Sequence, residues 1–137
     1  MSASLRVGHG SDAGRVRPLN EDYHRVWRFP GSGGELLVLA VADGMGGAAA
    51  GEVASKIAVE ALDETVRRYV REREARRDVV GLESLLEKAI RLANRRVHAA
   101  ALARKGSRGM GTTLTCVALE AGVAYVGHVG LERDAGE

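Results

Sequence analysis

A chain of 137 residues and 14.5 kDa, 45% hydrophobic and 28% charged, is one ordinary domain or part of a larger one. That composition excludes a wholly disordered polymer and a mini-protein dependent on disulfide staples. The formal net charge is +2; 17 arginines outnumber 3 lysines, yet aromatics make up only 4%, which leaves little stacking surface for nucleic acid.

The opening MSASLRVGHGSDAGR has no apolar h-region, so no signal peptide is expected. Tyr23 to Phe29 is short and aromatic enough for a strand, and Pro30-Gly31-Ser32-Gly33-Gly34 closes it as a flexible hairpin loop. Leu36 to Ala42 is an unbroken apolar run that suits a strand buried on both faces, and it is too short to cross a bilayer. Val53, Ile57, Ala61, Thr65 and Tyr69 recur every fourth residue, with Ala54, Ala58, Leu62 and Val66 beside them, which predicts an amphipathic helix. A break over Arg76 to Gly81 separates it from a second helix marked by Leu82, Leu85, Leu86, Ala89, Ile90, Ala93 and Val97, ending near Lys105-Gly106. Gly109-Met110-Gly111 reads as a backbone turn. Thr112 to Leu119 and Val123 to Val129 then flank Glu120-Ala121-Gly122 as a hairpin. Strands early and late with helices grouped between them predict an α+β fold.

Between Arg67 and Arg77 the arginines are densest, but two glutamates interrupt them, which favours a solvated helix end over a phosphate-binding stripe. The single Cys116 allows no internal disulfide and reads as a small core residue in a reducing cytoplasm. His9, His24, His98 and His128 are scattered without metal-ligand spacing.

Chemistry gathers in two places. Arg17-Pro18-Leu19-Asn20-Glu21-Asp22 leads into the first strand, and Asp43-Gly44-Met45-Gly46-Gly47 follows the apolar one. If those strands pair as a hairpin, Glu21, Asp22 and Asp43 converge. Clustered carboxylates repel by several kcal/mol at low dielectric and persist with a cation or protons between them. Oxygen-only donors select a hard ion such as Mg²⁺ or Mn²⁺. Gly44 would permit a tight turn that offers its carbonyl beside Asp43, and the planar fork of Arg17 suits a pair of phosphate oxygens. The run from Asp43 to Ala49 also fits a relaxed dinucleotide fingerprint. Against it, Asp43 would repel a pyrophosphate, and the acidic residues Asp63 and Glu64 fall within a helix rather than at a strand end.

Arg17 with Asn20-Glu21-Asp22, then Asp43-Gly44-Met45-Gly46-Gly47, Gly111-Thr112-Thr113 and Gly127-His128-Val129-Gly130 occur in this order. Together they resemble the N-terminal half of a bacterial metal-dependent serine/threonine protein phosphatase of the PP2C (PPM) family. The resemblance implies an αββα sandwich, here with paired antiparallel strands and one layer of two long helices. It also implies two Mn²⁺ or Mg²⁺ ions, with Asp43 bridging both, Glu21 and the Gly44 carbonyl on one, and Asp22 nearby through water. Arg17 would hold the phosphate of a phosphoprotein substrate while activated water attacks phosphorus in line. Met45 stands where some relatives carry a histidine.

After Gly130 the family pattern continues with Asp-Ser-Arg, whereas this sequence reads Leu131-Glu132-Arg133-Asp134-Ala135-Gly136-Glu137. Residues 1–130 are therefore expected to form the N-terminal half of a phosphatase domain and 131–137 a divergent tail. Without the later carboxylates the expectation is a truncated chain, weakly active or inactive. The alternatives are one half of a split phosphatase, or a non-catalytic interaction module that self-associates through an exposed sheet edge. The expected setting is the cytoplasm, with neither nucleic acid nor membrane as partner.

Overall fold

The computed structural model describes residues 7–8, 22–31, 34–46, 50–76, 80–103 and 110–132. Strands β1 (Asp22–Phe29) and β2 (Leu36–Met45) precede helices α1 (Ala50–Glu74) and α2 (Leu82–Ala103); strands β3 (Gly111–Glu120) and β4 (Val123–Glu132) follow. All four strands form one antiparallel sheet in the order β1-β2-β3-β4. Both helices lie on one face, α1 over β2, β3 and β1 and α2 over β4 and β3. This is the expected α+β arrangement, antiparallel strands under one layer of two long helices.

Strand alternation sorts the residues. Trp27, Val38, Ala40, Ala42, Leu114, Cys116 and Leu131 point towards the helices and are buried there. They meet Ala54, Ala58, Leu62 and Val66 of α1 and Leu85, Ala89, Ala93 and Val97 of α2. The alanines let helix and sheet approach closely, while each buried Leu or Val side chain contributes about 1.5–3 kcal/mol.

Two expectations are corrected in β2. The run from Leu36 to Ala42 is not buried on both faces along its length, because helices cover only one: on the other face Leu37 is buried, but Leu39 is half-buried and Val41 is 55% exposed. The strand also continues through Asp43, Gly44 and Met45, paired with Thr113, Thr112 and Gly111. Gly44 is thus a buried strand residue rather than a turn, and the positive φ falls at Gly46, at 134°. A Cβ there would stand 3.2 Å from the Ala50 Cβ, so the exit into α1 depends on glycine at Gly46.

The same ladder corrects the turn expected at Gly109-Met110-Gly111. Gly111 opens β3 and Met110 is fully buried; Gly109 lies outside the described residues. The β3–β4 hairpin is tighter than its three turn residues suggested, with Ala121 (φ 51°) and Gly122 (φ 77°) alone between the strands.

Candidate metal centre

The sheet face turned away from the helices carries an ordered polarity. Its residues line up across the strands in four rows fixed by the register. The first is Asp22, Asp43, Thr113 and Gly130; the second is His24, Val41, Thr115 and His128. Val26, Leu39, Val117 and Val126 form the third, and Arg28, Leu37, Leu119 and Ala124 the fourth. One end is therefore acidic, the second row is mostly polar around Val41, the third is apolar, and the far end is capped by the Arg28–Glu35 ion pair at 2.9 Å.

At the acidic end Asp22 and Asp43 are direct cross-strand partners, as the hairpin reading expected. Directly opposed residues on one sheet face bring their Cβ atoms to about 4.5–5.5 Å. Two carboxylates placed side by side on one face can point to a common cation. Asp43 is exposed and Asp22 half-buried, so both can be reached from the open side. The Asp43 backbone N–H donates to Thr113 Oγ1 at 3.3 Å, which ties the site residue to the next strand. An oxygen-only pair on a rigid ladder fits one side of a hard-cation site. Among the described residues no three His, Cys, Asp or Glu side chains form a complete ligand cluster. Arg17 and Glu21, the other expected site residues, lie outside the described residues.

Thr113 and His128 stand in motifs quoted from sequence without a site role, and Thr115 was not singled out. Thr115 Oγ1 and His128 Nδ1 are 2.6 Å apart on the row beside the carboxylates. Strand alternation was the available signal, since Thr113 and Thr115 share the parity of the site once the β2–β3 register is known. Cys116 faces the core, as expected, and burial pushes its thiol up to about 11, with a backbone hydrogen bond from Gly127 pulling the other way.

The four-stranded antiparallel sheet under two long helices, with Asp22 and Asp43 paired on its open face, is the architecture to compare with known proteins. The chain belongs to the protein phosphatase 2C family, whose pattern matches residues 10–130. It is 36% identical over 129 residues to the Mycobacterium tuberculosis serine/threonine protein phosphatase PstP, covering 94% of this chain and 22% of that protein. Similarity to the Listeria monocytogenes serine/threonine phosphatase stp is 34% over 123 residues, covering 90% of this chain and 46% of the relative. The chain thus spans less than half the length of either relative.

The solved structure of M. tuberculosis PstP superposes with a TM-score of 0.65 at 34% identity, over 88% of this chain and 44% of the other. The PstP catalytic domain in complex with two manganese ions matches with a TM-score of 0.64 at 35% identity, over 88% and 45% of the two chains. Among the described residues no helix is long and apolar enough to cross a membrane.

Proposed function

We propose that the acidic end of the open face is one wall of a metal-dependent phosphatase site. In this reading Asp43, Asp22, Glu21 and the Gly44 carbonyl hold Mn²⁺ or Mg²⁺, and Arg17 holds the phosphate of a phosphoserine or phosphothreonine on a protein. The observation that carries it is the cross-strand pairing of Asp22 with Asp43 in a chain of this family. The manganese ions of the PstP catalytic domain support the choice of metal. When bound, the ions supply charge neutralisation at the phosphoryl oxygens and a water of lowered pKa. Asp43 is central, flanked by Asp22 on β1 and by Thr113 on β3, whose hydroxyl accepts its backbone N–H. The Arg17 guanidinium fork takes two phosphate oxygens at once and fixes the orientation for in-line attack.

Residues 1–130 are then the N-terminal half of the phosphatase domain, the divergence after Gly130 begins inside β4, whose Leu131 still packs in the core, and the other wall of the site comes from the remainder of the domain. The 137-residue chain by itself is weakly active or inactive. Its single cysteine suits a reducing cytoplasm.

The test is Mn²⁺-dependent hydrolysis of an aryl phosphate by the chain alone and mixed with the C-terminal half of a family relative. The expected result is little turnover alone and turnover in the mixture that Asp43→Asn lowers by about 100-fold or more. Equal turnover by the parent and Asp43→Asn overturns the site assignment. Strong Asp43-dependent turnover by the chain alone overturns its need for a second wall.

A second reading, a non-catalytic interaction module, is favoured by the exposure of Val41 and Val126 and by β1 and β4 standing at the sheet edges. It predicts self-association in sedimentation equilibrium; a monomer at all concentrations counts against it.

A further inference from the structure

On the side away from the carboxylates, the C-terminal half of α1 and the N-terminal half of α2 enclose a cleft of about 500 Å³. Its apolar floor is formed by Tyr69, Val80, Leu85 and Leu92, of which Val80 and Leu92 remain half-buried. Its rim carries five cations, Arg68, Lys88, Arg91, Arg95 and Arg96, against two carboxylates, Glu64 and Glu72.

The carboxylates are already engaged. Glu64 accepts from Arg96 at 2.6 Å and Glu72 from Arg68 at 3.0 Å, while Arg91 pairs with Glu87 outside the cleft. Among the described residues Lys88 and Arg95 have no carboxylate within ion-pair distance. Lys88, Arg91 and Arg95 follow an i, i+3, i+7 spacing, so they share one helix face over about 10 Å. Neighbouring like charges cost a helix a few tenths of a kcal/mol, and an anionic partner removes that cost.

We propose that this cleft docks an acidic peptide segment of a partner protein that carries a large aliphatic side chain. Carboxylates of the peptide pair with Lys88 and Arg95, and its aliphatic side chain covers Val80 and Leu92. Charge complementarity selects the sign of the partner, and the half-buried floor selects a peptide over a bare anion. A nucleic-acid strand fits less well. Among the described residues lining the cleft the one aromatic ring, Tyr69, is 7% exposed and its hydroxyl accepts from Arg73, so it offers no stacking face. Glu64 and Glu72 would also oppose a dense row of phosphates. Since the cleft and Asp43 lie on opposite sides of the sheet, docking leaves the carboxylate end open. The proposal holds whether or not that end hydrolyses phosphate.

The experiment is fluorescence anisotropy of the full chain at about 0.15 M salt. The probe is a fluorescein-labelled glutamate-rich peptide with leucines at i and i+4, compared with the same peptide carrying serines instead. Lys88→Glu and Lys56→Glu change the net charge equally, but Lys56 is exposed on α1 and outside the cleft. The expected result is saturable binding that the serine peptide loses and that Lys88→Glu weakens about tenfold more than Lys56→Glu. Circular dichroism confirms that both variants fold. Equal weakening by the two variants, equal binding of the serine peptide, absence of saturation, or tighter binding of an oligothymidylate each overturns the proposal.

Discussion

The Asp63 carboxylate joins β1 to α1 by collecting donors on one oxygen. Trp27 Nε1 donates at 2.7 Å and Arg67 Nε at 2.8 Å, and an Arg25 nitrogen stands at 3.2 Å. Burial by itself would raise the carboxyl's pKa; these hydrogen bonds and the two guanidinium charges outweigh it and hold the group below its ordinary value. Trp27 is 3% exposed, so removing the acceptor strands an indole N–H in the core. Asp63→Ala is expected to destabilise the fold by about 2–3 kcal/mol in urea denaturation. The pH dependence has a definite sign. A depressed carboxyl stabilises above its unfolded pKa of about 3.9 and loses that contribution as pH falls through the folded value. Asp63→Asn should therefore flatten the fall in stability below about pH 4. Cys116 behaves oppositely. Its raised thiol stabilises fully below the unfolded value near 9.0 and loses this as pH climbs to about 11. Cys116→Ala should remove that alkaline slope, and the parent thiol should resist alkylation at about pH 8 until the chain is unfolded. The Asp63–Arg67 pair follows from i, i+4 spacing on one helix, but the partnerships with Trp27 and Arg25 were not legible in sequence, because Trp27 and Asp63 are 36 residues apart and periodicity carries no information on such pairs. The Asp22–Asp43 pairing was legible, since a short glycine-rich loop between two strands leaves little choice of register.

At the scale of elements, the helices were the clearest signal. Their i, i+4 stripes correspond to the residues that bury against the sheet, from Ala54 to Val66 and from Leu85 to Val97. The strands were legible in position but not in environment. An apolar run such as Leu36 to Ala42 has the same composition whether one face or both are covered, and only the placement of α1 and α2 decides between them. The end of β2 was hidden for a related reason. Asp43-Gly44-Met45 has turn composition, and the ladder to Gly111, Thr112 and Thr113, far along the chain, keeps it extended. The β3–β4 turn is a local matter and leads to a local prediction. With φ positive at both Ala121 and Gly122, the two-residue hairpin has the geometry that favours Asn-Gly over Ala-Gly. Ala121→Asn relieves the left-handed alanine and should raise stability by about 0.5–1 kcal/mol, read as an increase in Tm. A fall in Tm would mean that the strands do not meet in this turn.

For the whole molecule, the decisive asymmetry is that α1 and α2 cover only one side of the sheet. The other side grades from aspartates through Val41 and its neighbours His24, Thr115 and His128 to a valine- and leucine-rich band and the Arg28–Glu35 pair. Val41 and Val126 on this side are 55% and 67% exposed. The two lie in adjacent rows, on strands separated by β3, so they border one patch rather than standing as scattered apolar points. A patch of this kind binds apolar dyes and favours association, whereas exposed β-branched residues contribute little to the stability of the strand itself. The double substitution Val41→Thr with Val126→Thr keeps branching at Cβ and adds hydroxyls that water can solvate. In the 137-residue chain it should lower anilinonaphthalene sulfonate emission by about twofold while leaving Tm nearly unchanged. Unchanged emission would place the dye in the α1–α2 cleft instead, and a large fall in Tm would show that these valines are packed rather than open.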